Sequence, residues 1–158
     1  MKSGMWRLSA LMFVLTLITL WGCTKGNYVA KPNEELYGTW TNESMTVQKE
    51  TISATGYKAF SHISDSDSNA EATTQITNKW KDSEGNIWYK TLGTGTSGEW
   101  DGYKWQTLQK LSKSGTMREE VVHVIGTVKS ESPFDPKSYP PTIDPKSPNY
   151  SLYYRAGN

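Results

Sequence analysis

The chain has one cysteine, two histidines, three phenylalanines and a formal charge of only +1 over 158 residues. Each shortage excludes something. A single cysteine allows no internal disulfide, so a packed core must hold the fold together. His62 and His123 have no companion at ligand spacing, which argues against a zinc-type metal site. A near-neutral balance with no basic stretch leaves no electrostatic footprint for nucleic acid. The longest apolar run, Leu8 to Leu20, spans 13 residues. A membrane-crossing helix needs roughly 20. Catalytic chemistry is equally thin. No serine sits in a nucleophile-elbow sequence. Glu119 and Glu120 are adjacent on a predicted strand, so they point to opposite faces and make no acid–base pair. The sequence reads as a non-enzyme with no cofactor.

What is present begins at the N-terminus. Lys2 and Arg7 precede the apolar run, and Trp21-Gly22-Cys23 followed by Thr24-Lys25-Gly26-Asn27 ends it. A charged start, an apolar middle and a small residue before the cut are the layout of a secretory signal. The stretch Leu20-Trp21-Gly22-Cys23 resembles the lipobox of bacterial lipoproteins. That resemblance implies cleavage before Cys23 and a diacylglyceryl group on its thiol. It places the protein in the cell envelope, held to the membrane by lipid, and in the outer membrane if the cell is Gram-negative. Loss of residues 1–22 leaves 136 residues and moves the formal charge from +1 to −1. That length suits one domain.

Beyond the leader, leucine is scarce while threonine, serine, glycine, tyrosine and tryptophan dominate. This is strand and turn composition. Residues 23–35 read as a lipidated tether and 36–158 as one domain. Expected strands are 36–42, 45–52, 57–63, 73–81, 87–92, 99–111, 116–126 and 150–155. Alternation places Thr74, Ile76, Asn78 and Trp80 on one face, and Tyr103, Trp105, Thr107, Gln109 and Leu111 on another. Residues 64–72 read as a polar loop. Six of the seven prolines fall within 130–148, so 130–149 reads as a long irregular connection. About eight strands and no helix in the domain favour an antiparallel barrel or sandwich.

Gly38-Thr39-Trp40, inside the first strand, resembles the G-x-W motif of lipocalins and their calycin relatives. The resemblance implies an up-and-down β-barrel with Trp40 at its closed end and an arginine from a late strand over the indole. Arg155, at the end of the last strand, is the candidate, with Arg118 the only other arginine beyond the leader. Small barrels fill their interior with side chains and larger ones hold an apolar ligand; for a small apolar or amphipathic ligand inside this barrel, Trp80, Trp88, Tyr89, Tyr103 and Trp105 are the candidate lining residues. The alternative is a barrel filled by its own side chains, whose surface meets another envelope or host protein.

Two further motifs read as structural. Gly93-Thr94-Gly95-Thr96-Ser97-Gly98 matches G-x-G-x-x-G, but no helix start follows, so it reads as a hairpin loop. Asp65-Ser66-Asp67-Ser68-Asn69 opens like a calcium loop, but Ala70 and Ile76 stand where glycine and glutamate are needed. It reads as a solvated loop.

Overall fold

The computed structural model describes residues 28–127 and 139–157. The leader, Cys23 and the connection from 128 to 138 lie outside the described residues. Eight strands form: β1 Gly38–Thr41, β2 Lys49–Ile52, β3 Tyr57–Phe60, β4 Ala70–Lys81, β5 Ile87–Gly98, β6 Tyr103–Leu111, β7 Met117–Thr127 and β8 Tyr150–Arg155. Each pairs antiparallel with the next, and β8 returns to β1 through Trp40↔Arg155 and Thr41↔Tyr154. The result is a closed up-and-down barrel, the all-β architecture that the turn spacing and composition predict. Closure removes the exposed edges that a sandwich of such strands would leave.

Three irregularities decide which side chains face inward. Between β4 and β5 the register slips at Ile76/Asn78, so Thr77 is an extra residue. A bulge inverts the alternation beyond it. Ile76 therefore points into the core, while Trp80 pairs with Trp88 on the outside. The expected common face of Thr74, Ile76, Asn78 and Trp80 breaks at this bulge. Further slips occur at Glu71/Ala72 and at Lys104/Trp105.

The glycine-rich run 93–98 belongs to strand β5 rather than to a hairpin loop. Gly93 and Gly95 face inward, and aromatic residues occupy the space that side chains there would need. A Cβ on Gly93 would lie 2.3 Å from the Trp105 indole, and one on Gly95 1.6 Å from the Trp100 carbonyl oxygen. The reversal falls at residues 99–102 instead, so β6 begins at Tyr103, four residues later than expected. There the Tyr103 amide donates to the Trp100 carbonyl at 3.0 Å.

One half of the interior is filled. Leu36, Trp40, Ile52, Ile76, Tyr89, Leu111 and Tyr153 form the core cluster. Residues 28–37 close over this end. Glu34 is buried and accepts hydrogen bonds from Tyr28 Oη, the Lys31 amide (2.8 Å) and Lys79 Nζ (2.7 Å). Tyr89 Oη donates to Glu35 at 2.9 Å. Residues 28–35, expected as part of a tether, are thus bonded to the barrel through β4 and β5.

Candidate functional site

Trp40 is fully buried, and its indole N–H donates to the Leu36 carbonyl at 3.0 Å. Arg155 lies over it, guanidinium carbon to ring centroid 4.3 Å. The same guanidinium donates to Gly115 O (2.8 Å), Tyr37 O (3.0 Å) and Glu35 O. It so ties the closing segment, β8 and the β6–β7 turn together. Gly38 is the other half of this arrangement. Its φ is +142°, and a Cβ there would lie 2.7 Å from Arg155 Nη1. The glycine and tryptophan of the tripeptide therefore serve one contact.

A polar layer lies above this floor. Arg118, fully buried on β7, donates to Gln109 Oε1 at 3.1 Å and to Glu50, and pairs with Glu120 at 3.3 Å. Its guanidinium carbon sits 4.7 Å from the Tyr153 ring and 5.4 Å from the Trp40 ring. Gln109 continues the chain to Thr91 Oγ1 at 3.2 Å. Arg118 Nε finds no partner among the described residues. Burial pushes the Glu120 carboxyl up to about 7; Glu50 adds to the rise, and Arg118 opposes it. Burial likewise raises the Tyr57 and Tyr153 phenols, with Glu50 and Glu120 reinforcing both shifts. Arg118 itself is held more firmly protonated, because its two carboxylate partners outweigh its desolvation.

The other half of the barrel is hollow. A cavity of about 420 Å³ extends from this polar layer to the mouth. Five aromatic residues line it: Tyr57, Trp100, Tyr103, Trp105 and Tyr153. Trp100 packs against Tyr57 (centroids 5.4 Å apart) and meets Trp105 edge-on at 5.5 Å. Val47, Val122 and Val124 complete the apolar wall; Glu50, Glu120, Gln109 and several threonines form the polar one. Tyr103 is 47% exposed and Val124 56%, so the mouth is open to solvent.

The five residues expected to line a ligand site divide three ways. Tyr103 and Trp105 line the cavity. Tyr89 is buried at the closed end, where its hydroxyl is engaged by Glu35 and Glu34. Trp80 and Trp88 stack on the outer wall, centroids 5.8 Å apart, beside a groove that also touches Tyr139, Pro140 and Pro141. Asp82 holds the Trp88 indole N–H at 2.8 Å, and this bond is the main reason its carboxyl falls to about 2. The Thr77 bulge is what puts Trp80 outside. Trp88 is outside because it alternates with inward-facing Tyr89 and Ile87.

Sequence reasoning missed Glu50, Tyr57, Trp100, Arg118, Glu120 and Tyr153. A signal for some of them was present. Arg118 and Glu120 share strand parity with Val122 and Val124, and charged residues in register with an apolar face mark a buried pair. Among the described residues no cluster of three His, Cys, Asp or Glu could hold a metal ion. In the loop that opens like a calcium site, the Lys49 ammonium donates to the Ile63 (2.9 Å) and Asp65 carbonyls. No family model, curated protein or solved structure matches the chain.

Proposed function

We propose that this protein is a lipid-anchored envelope protein of lipocalin type whose barrel binds a small apolar or amphipathic molecule. The observation that carries the reading is the aromatic cavity of about 420 Å³ with an open mouth. Ligand sites are concave, mostly apolar, and have a few convergent polar groups. A barrel filled only for stability would fill both halves. Cys23, after a short apolar leader, supplies the anchor. A diacylglyceryl group with a further acyl chain provides more than one long hydrocarbon chain, which stable anchoring requires.

Mass spectrometry of material taken from the native envelope tests both parts. The expected polypeptide begins at Cys23 and carries the added mass of acyl chains, and denaturation releases a small molecule. A chain retaining its first 22 residues, or a bare sulfur, would refute the anchor. The cavity reading fails if nothing is released and no apolar fluorescent probe gains emission on addition of the protein.

The outer groove favours a second reading, docking of an envelope or host protein. Trp80 is 37% exposed and stacked on Trp88 beside Pro140 and Pro141. Aromatic residues are enriched at protein interfaces. Trp80→Ala would abolish capture of such a partner without changing probe binding in the cavity.

A further inference from the structure

Among the described residues the cavity walls contain three glutamates, Glu50, Glu99 and Glu120, and no lysine, arginine or histidine. Their positions differ. Glu50 and Glu120 stand at the inner end, on β2 and β7, while Glu99 is exposed in the β5–β6 turn at the mouth. Among the described residues Arg118 is the one cation paired with the inner two, and it lies behind them. It is fully buried, bonded to Glu50, Glu120 and Gln109, and outside the cavity wall. Two carboxyls thus face the space and one guanidinium backs them. Thr91, Thr107 and Gln109 place further oxygen acceptors on the same walls.

This arrangement discriminates by charge. Among the described residues, a carboxylate or phosphate ligand would meet Glu50 and Glu120 before any cation, and both terminal nitrogens of Arg118 are already engaged. An ammonium would meet acceptors at the inner end and a carboxylate at the entrance. The indole and phenol rings along the walls also attract cations through their faces. A primary ammonium carries three donors and no acceptor, which suits a wall of carboxyl, hydroxyl and amide oxygens.

We propose that the ligand is a small organic amine, a primary ammonium on an aromatic or compact apolar body, with its nitrogen directed to Glu120 and Glu50 and its body against Trp105, Trp100 and Tyr57. The inference rests on the ligand-binding reading of the cavity and specifies its chemistry.

Three probes of one shape test it: 1-naphthylmethylammonium, 1-naphthylmethanol and 1-naphthylacetate. Each is measured by equilibrium dialysis against the full chain in dilute nonionic detergent at pH 8, with a detergent blank. The ammonium is expected to bind about tenfold or more tighter than the alcohol, the scale of one charge-assisted hydrogen bond. The carboxylate is expected to bind weakest. Alcohol or carboxylate binding that equals or exceeds that of the ammonium would overturn the amine assignment and leave the cavity reading standing. No binding by any of the three would overturn both. Glu120→Gln should remove most of the ammonium's advantage while alcohol binding persists. Glu99→Gln, an exposed change that leaves the core intact, should weaken the ammonium severalfold and the alcohol not at all. Equal weakening of both probes by Glu99→Gln would count against a role for charge at the mouth and sink the assignment.

Discussion

Glu50 shows how much one side chain carries here. It stands between Arg118 and the cavity, and both members of the pair are buried. A buried ion pair adds little net stability compared with apolar packing, yet removing one partner is expensive because the other stays buried with its charge. Glu50→Ala should therefore destabilise the barrel by about 3–5 kcal/mol. Denaturant unfolding followed by tryptophan emission measures this. A loss below about 1 kcal/mol, the range of exposed pairs, would mean that Arg118 is not held as the geometry indicates. Arg155 differs in kind. It is half-buried, and three carbonyl acceptors and an indole face share it. Burial and the nearby Arg118 charge make it easier to deprotonate than an ordinary arginine. Trp40 thus has two guanidiniums near its ring, and residues 28–37 are held by one of them.

At the scale of the strand, alternation read from the sequence located the bounds of β8 and the inward face of β6, though not the start of β6. It failed where the count of residues changed. Tyr103, Trp105, Thr107 and Gln109 do share the cavity wall, because β6 itself carries no extra residue. Trp80 went astray because Thr77 bulges, and a bulge within a threonine-rich strand has no composition of its own. Gly93 and Gly95 misled in the opposite direction. Glycines in series suggest a turn, but here they lie in β5 to admit Trp105 and Trp100. Their meaning depends on partners on another strand and in a later turn, which no local pattern reveals. The buried carboxylates were hidden for a similar reason, since Glu50 meets Arg118 across 68 residues of sequence. Gly93→Ala tests the glycine argument. Its methyl would fall 2.3–2.6 Å from three indole atoms of Trp105, so the ring must move toward the cavity. We expect a blue or red shift of tryptophan emission, at least a tenfold loss of probe affinity, and a fold that survives with about 1–3 kcal/mol less stability, the usual cost of overpacking. Unchanged probe affinity would separate Trp105 from the site.

For the whole molecule, the polar layer predicts an unusual dependence of stability on pH. Glu120 is faced by Arg118 on its own strand, Glu50 from β2, Tyr57 from β3 and Tyr153 from β8. Burial lifts its carboxyl from 4.5 to about 7. The native state therefore keeps a proton that the unfolded chain has released between these two values. Stability from this group is complete below about pH 4.5 and is lost as the pH rises through 7. At the closed end the sign is reversed. Glu35 is held at about 2, first by its bond to Lys79, so its contribution exists above pH 4.5 and fades toward pH 2. The two trends meet near pH 5, where the barrel should be most stable. Chemical denaturation across pH 3 to 8 would show a maximum there and a decline toward neutrality. Glu120→Gln should abolish the decline above pH 5 and leave the acid limb in place. A decline that persists in this variant would assign the effect to another group. A bound ammonium should act in the same direction as the variant, because it stabilises the ionised carboxylate at neutral pH. The gain in stability from an amine ligand should then be larger at pH 8 than at pH 5, while that from a neutral ligand of the same shape should not change.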